Sequence, residues 1–397
     1  MNIFVAIVGL AFLILIHEAG HFFSALAVGM RPRKFYIGFQ PPLVRVRRRG
    51  IEYGIGTIPL GGYVKIPGMH RPAARDLDFR LQQAMTRAPG LVKPIEAVKR
   101  PLARGDYEEA RVALDELEAA LREANQPTEV LTDVRDGLAP DAYWRQRAWK
   151  KVLVIFAGPG TNALFAIIIF AVLFMVGGGK ATTTVADVVS GTPATQMGLR
   201  SGDQILAVDG QPVKPPDIPR IISTSQGHGV TLLVRRDGRT VTLGPTKPKK
   251  TDGVYRLGFV LKGKGLEPPA ALKESVILTG RVSRDIVTSL GHLVQRQGRE
   301  DISSPVGIVQ GSSAAADQGL QNYLWVLGLI SLSLALLNLL PLLPLDGGHI
   351  FFSLLEAVRG RAVAREVYER VSAVGIALVL LLFFIGLSND VGRIGGG

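Results

Sequence analysis

His17-Glu18-Ala19-Gly20-His21 sits inside an apolar run that reaches from Ile3 to Met30. A separation of four residues puts both imidazoles on one face of a helix, within reach of one Zn²⁺. Glu18 then lies one position round the turn, where a water activated by the metal would sit. That is hydrolytic chemistry. The flanks, Ile3 to Ile16 and Phe22 to Val28, have the composition of a membrane helix, in which an ionisable group costs about 2.5–3.5 kcal/mol. On a soluble amphipathic helix the same pattern is often an accident of the solvated face. This helix is apolar all round and offers no such face.

Of 397 residues, 47% are hydrophobic, and the mean hydropathy is +0.25. Asn2 to Val28, Val152 to Val176, Tyr323 to Leu345 and Val371 to Leu387 each approach the roughly 20 residues that cross a bilayer. The first is not expected to be a signal peptide, because no basic residue precedes it and cleavage would discard the motif. The chain has no cysteine, which excludes disulfides, thiolate zinc sites and cysteine nucleophiles. The net charge of +13 raises nucleic acid as a partner. Many of the basic residues instead border the apolar spans, as in Arg31, Arg33, Lys34, Arg45, Arg47, Arg48 and Arg49, and again in Arg359, Arg361, Arg365 and Arg370. Positive-inside orientation explains them without nucleic acid, with the lipid bilayer as partner. It places Met1 outside, both basic loops in the cytoplasm and Lys180 to Gln321 outside.

The expected fold is a multi-pass α-helical membrane protein with four transmembrane helices. Residues 1–30 form the first, and residues 31–70 follow as a membrane-associated β region, with short runs at Phe35 to Phe39, Leu43 to Val46, Tyr53 to Ile58 and Tyr63 to Ile66 broken by Gly and Pro. Such a sheet would lie near the metal with an edge free to pair with an extended peptide, or would only cap the bundle. Residues 71–147 turn charged and helical, with Ala110, Leu114, Leu117 and Leu121 on one stripe; their charges read as a solvated face or as a docking surface. The second span, 148–178, contains Ala157-Gly158-Pro159-Gly160-Thr161-Asn162, where small residues allow close helix approach and Asn162 needs a partner. Residues 180–262 have the strand and turn pattern of a compact β-rich module, with Asp209-Gly210 and Asp237-Gly238 as hairpin turns. Residues 263–320 form an amphipathic linker containing an expected helix from Ala270 to Gln295.

The third span, 321–349, carries Asn338-Leu339-Leu340-Pro341-Leu342-Leu343-Pro344-Leu345-Asp346-Gly347-Gly348-His349. Irregular backbone at membrane depth is tolerated where it is buried or lines a wet cavity. Asp346 would complete a His₂Asp set with His17 and His21 and leave a fourth zinc position to water. His349 is an alternative ligand, though three residues further on it is expected at the cytoplasmic boundary. Residues 350–397 supply a cytoplasmic loop and the fourth span.

Taken together, these residues resemble the site-2 proteases, zinc intramembrane proteases, of the bacterial type that contains a PDZ domain. The match rests on the HExxH, Gly61-Gly62-Tyr63-Val64-Lys65, Ala157 to Asn162, Ser304-Pro305-Val306-Gly307-Ile308, and Asn338 through Gly348. It covers nearly the whole chain except Arg71 to Arg147. Pro344 departs from the commonest family form by one position. The resemblance implies zinc ligation by His17, His21 and Asp346, catalysis by Glu18, and an extracytoplasmic PDZ domain, with Gly191-Thr192-Pro193-Ala194 and Gly202-Asp203-Gln204-Ile205 as its motifs. It also implies a place in the bacterial cytoplasmic (inner) membrane. The substrates would be single-pass membrane regulators such as anti-sigma factors, cut in their transmembrane segments after a first cleavage outside. Asn338, Asn162, Gly61 and Gly62 are assigned to substrate binding; for the two asparagines a purely structural role is the alternative. A non-catalytic membrane PDZ scaffold that tethers peptides would have no use for Glu18, and a metal transporter would need more ligands across the spans.

Overall fold

The computed structural model describes residues 2–251, 253–294 and 304–395. Among them, four helices are long and apolar enough to cross a membrane: Ile3–Ala27, Ala148–Gly178, Leu320–Asn338 and Glu366–Gly392. The chain divides into two compact units, residues 1–165 with 283–397, and residues 166–282.

In the first unit, α1 (Asn2–Ala27) ends where Gly29 takes a φ of +87°. The four short β runs expected after it are two long bent strands, β1 (Lys34–Arg48) and β2 (Ile51–Lys65). Arg49 and Gly50 both have positive φ, 50° and 82°, the two-residue loop whose twist matches that of the strands it joins. Because both strands bend, residues 34–37 pair with 52–55 on one side and with 62–65 on the other, while 44–47 pair with 52–55. Residues 62–65 are therefore an edge. Tyr36 is buried in the middle of this sheet, stacked on Tyr63 at 5.3 Å and hydrogen-bonded to Glu52 at 2.6 Å. A side chain at Gly54 would collide with its ring.

The charged segment is a helical subdomain with its own core, formed by α2 (Ala74–Arg87), α3 (Val92–Arg104), α4 (Tyr107–Glu123) and α5 (Thr132–Leu138). The expected stripe on α4 faces inward: Ala110, Leu114, Leu117 and Leu121 pack with Leu77, Leu81, Ile95 and Leu131. Asp106 starts α4 by accepting from the Glu109 N–H at 3.0 Å. The second long membrane-length helix, α6 (Ala148–Leu173), follows.

The second unit holds strands β3 (Lys180–Val188), β4 (Gln204–Val208), β5 (Gln211–Pro212), β6 (Val230–Arg236), β7 (Arg239–Thr246) and β10 (Phe259–Lys264) in one sheet of order β10-β3-β4-β6-β7, with β5 on β4. The short strands β8 (Lys249–Thr251) and β9 (Val254–Arg256) pair separately. Helices α7 (Pro193–Gln196) and α8 (Asp217–Thr224) complete it around a core of Val185, Ile205, Val208, Ile222, Leu232 and Val234. Asp209-Gly210 and Asp237-Gly238 take positive φ throughout, as the two-residue turn demands.

Helix α9 (Pro268–Val294) covers the expected amphipathic segment except Gln295, which lies outside the described residues. After it come α10 (Pro305–Asp317), α11 (Leu320–Asn338), α12 (Asp346–Arg359) and α13 (Arg365–Gly395). Asp390 of α13 accepts from the Ser304 and Gly307 N–H groups at 2.7 and 3.1 Å, closing the N-terminus of α10. The third span is interrupted. Its helix stops at Asn338, not Leu345, because Pro341 and Pro344 remove backbone donors from the next turn. Asp346 opens a new helix. Gly347 and Gly348 let the preceding loop fold onto that helix start, since a side chain at Gly347 would strike the Leu339 and Leu340 carbonyls and one at Gly348 the Leu342–Leu343 backbone.

Candidate metal centre

His17 and His21 lie one helical turn apart on α1, and the loop after α11 brings Asp346 to them. Asp346 Oδ2 is 3.1 Å from His17 Nε2 and 3.4 Å from His21 Nε2, and the two Nε2 atoms are 3.2 Å apart. Among the described residues this is the one His/Cys/Asp/Glu group able to hold a metal ion. The His21 tautomer follows from its other nitrogen. Nδ1 is 2.8 Å from the Val154 carbonyl, which can only accept, so Nδ1 carries the proton and neutral Nε2 offers a lone pair. That lone pair confronts a buried carboxylate oxygen that no hydrogen bond satisfies. Donors so arranged repel one another unless a cation lies among them, and two imidazoles with one carboxylate are a donor set that Zn²⁺ takes with a position left open.

The Val154 carbonyl is there because α6 packs unusually close to α1. A side chain at Gly20 would strike the Ala157 carbonyl, and one at Gly158 would strike the His21 ring. Thr161 Oγ1 donates to the carbonyl of Ile16, the residue just before His17, at 2.9 Å. The segment Ala157 to Thr161 thus brings a backbone acceptor to a metal ligand through small residues.

Glu18 faces the sheet. An added side-chain carbon at Gly62 would come within 3.0 Å of its Cγ and 2.8 Å of the Tyr36 carbonyl. The Glu18 carboxylate accepts from the Val64 N–H of the edge segment. His17, Glu18, His21 and Asp346 share a cavity of ≈ 530 Å³ with Gly62, Tyr63, Val64, Asn338, Pro344 and His349. Volumes of this size hold several heavy-atom groups of a ligand.

The remaining residues singled out by sequence separate into those on the cavity and those off it. Gly62 and Asn338 line it; Asn338 Nδ2 also donates to the Leu334 carbonyl at 3.1 Å. Gly61, with φ of +120°, precedes Gly62 and does not line the cavity. Asn162 does not line the cavity: it is fully buried, and neither amide atom has a hydrogen-bond partner among the described residues. His349, expected at the cytoplasmic boundary, lines the cavity without joining the ligand group. Sequence reasoning missed the Val154 carbonyl and the Val64 N–H, because backbone groups leave no mark in residue type.

The family model "Peptidase family M50" matches residues 5–382. The chain belongs to peptidase family M50. As a member of this family, the site-2 protease family, it is a zinc metalloendopeptidase with Zn²⁺ as its cofactor. The LL2128 protein of Lactococcus lactis subsp. lactis, named as a zinc metalloprotease, is 31% identical over 424 residues, 98% of this chain and 97% of its own. Metalloprotease MmpA of Caulobacter vibrioides is 27% identical over 420 residues, covering 97% and 94%. The protease eep of Enterococcus faecalis is 25% identical over 410 residues, covering 96% of each chain. With membrane-length apolar helices in the same chain, this M50 peptidase is a membrane metalloprotease.

Proposed function

We propose that this M50 peptidase cuts peptide bonds inside the transmembrane segments of single-pass membrane proteins, in the manner of regulated intramembrane proteolysis. The single observation that carries the reading is a His₂Asp cluster whose two histidines stand on a membrane-length helix, beside an outermost strand segment. His17, His21 and Asp346 hold Zn²⁺. When bound, the metal supplies Lewis-acid polarisation of the peptide carbonyl and lowers the pKa of water toward about 7. Glu18 removes the proton from the attacking water and later delivers it to the leaving amine. The Val64 N–H holds the Glu18 carboxylate in place for that transfer.

A helical substrate hides its carbonyls in internal hydrogen bonds, so cleavage needs a locally extended segment whose freed backbone groups are costly in lipid. Residues 62–65 would pair with that segment and satisfy several of them. Leu43, Val44, Val46 and Ile55 are exposed on the same sheet, among Arg45, Arg47 and Arg48, a pattern suited to lying at a membrane surface. The basic residues beside the spans support a reading in which residues 71–147 are cytoplasmic in a bacterial inner-membrane protein and residues 180–262 are extracytoplasmic, serving as a PDZ domain that selects substrates after a first cleavage. Asn338 contacts substrate backbone.

The test is to reconstitute the enzyme in lipid with a single-pass substrate and map the products by mass spectrometry. Cleavage within the membrane segment, faster after Leu→Pro and slower after Gly→Leu near the cut, is the expected result. Cuts only in soluble segments, or rates that ignore helix stability at constant binding, would contradict the reading.

A further inference from the structure

The cavity holds one imidazole that the reaction as described leaves without a task. Helix α12 starts at Asp346, so His349, three residues on, shares its face. Its ring lines the cavity that contains Glu18 and Asp346, yet it stands outside the ligand cluster and makes no hydrogen bond to the protein among the described residues. A partly buried imidazole without a partner forgoes hydrogen bonds that water would have given it, and a polar group entering the cavity restores them.

We propose that His349 is a catalytic residue that donates a hydrogen bond to the carbonyl oxygen of the scissile peptide as that oxygen becomes an anion. The proposal rests on the reading of this cavity as the peptide-hydrolysing site. In the step concerned, a water oxygen bonds to the carbonyl carbon, its proton passes to Glu18, and the carbonyl π pair moves onto the oxygen that His349 faces. Collapse returns that pair, breaks the C–N bond and sends the Glu18 proton to the amine. Either neutral tautomer of imidazole keeps one N–H, so His349 donates without changing charge. Asn338 gives one of its two amide protons to Leu334 at 3.1 Å and has the other for the substrate backbone. Donors aimed at a developing oxyanion act chiefly on kcat.

The experiment compares wild type, His349→Ala and His349→Gln as full-length protein in lipid nanodiscs. It measures zinc per chain, kcat and KM on a single-pass peptide, and the affinity of a phosphinic peptide whose tetrahedral anion mimics the charged oxygen. For His349→Ala the expected result is a fall in kcat of about 100-fold or more, KM within about threefold, and a loss of phosphinate affinity that follows kcat/KM. Zinc content stays at the wild-type value. His349→Gln, which keeps a donor, recovers about tenfold or more of the loss and serves alone if the alanine variant does not fold. Loss of zinc would make His349 a ligand and overturn the proposal. So would an unchanged kcat, an effect confined to KM, or unchanged phosphinate affinity. A zinc-loaded wild-type enzyme that cleaves no peptide would instead overturn the reading on which the proposal rests.

Discussion

His21 gives its Nδ1 proton to the Val154 carbonyl across 2.8 Å, which makes α6 a supporting wall of the metal centre. The bond sets which nitrogen is left for the metal, and the small residues of α6 decide whether it can form.

Replacing Gly158 by Ala should therefore lower zinc affinity by about 10–100-fold, the usual cost of disturbing a ligand's outer partner. The added carbon would strike the His21 imidazole. Gly311→Ala, on α10 with open space around it, should keep zinc and activity and raise helix stability by about 0.5–1 kcal/mol. Competition with a metal-responsive dye measures both. Equal zinc affinity in the Gly158 variant and wild type would contradict the account.

A second prediction concerns the helical subdomain. Asp136 on α5 receives Arg33 at 3.0 Å and Lys65 at 3.1 Å, and Lys65 also pairs with Asp133 at 2.8 Å. Lys65 ends the edge segment that borders the cavity. Burial works against the Lys65 ammonium, but Asp133 and Asp136 hold its pKa above the ordinary value. Asp136→Ala should cost about 2 kcal/mol of local stability, seen as faster amide exchange at residues 62–66. It should reduce kcat/KM while zinc content stays constant. Unchanged exchange there would mean that the subdomain does not brace the edge.

How much of this was legible from residue types alone differs from part to part. The HExxH was legible because its spacing matches the helical period, and Asp346 because prolines and glycines flanked a charge in an apolar run. The two prolines and two glycines announced a broken helix, while the leucines that continue to Leu345 left open the residue at which it stops. The new helix that opens at Asp346 puts His349, three residues on, on the Asp346 face. The β runs lay close to where Gly and Pro placed them, but the order that leaves residues 62–65 outermost depends on pairing between distant residues. The stripe of Leu114, Leu117 and Leu121 announced a packed face; the tie from Asp136 to Arg33 and Lys65 could not be read, because ion pairs across a fold carry no local pattern.

The β-rich unit should show a pH dependence of its own. Burial pushes the Asp203 carboxyl up, but bonds of 2.7 and 2.6 Å from Arg236 and one of 2.9 Å from the Arg200 N–H hold it below the ordinary carboxylate value. A depressed folded-state pKa contributes stability above the unfolded value of about 3.9, and that stability is lost as pH falls through the lower folded value. Arg236→Met should thus destabilise residues 180–264 by about 2 kcal/mol near neutral pH, with the difference from wild type shrinking as pH falls through the lowered Asp203 value. Hydrogen exchange of the full chain across pH measures it; a difference independent of pH would contradict the assignment.

The central claim is that Glu18 moves the proton at a zinc site formed by His17, His21 and Asp346. The most direct measurement pairs zinc content with cleavage of a single-pass substrate by purified wild-type and Glu18→Gln enzyme. The amide preserves shape but cannot act as a base, so the variant should bind zinc as wild type does and lose hydrolysis. A Glu18→Gln enzyme that cleaves at the wild-type rate would contradict the account.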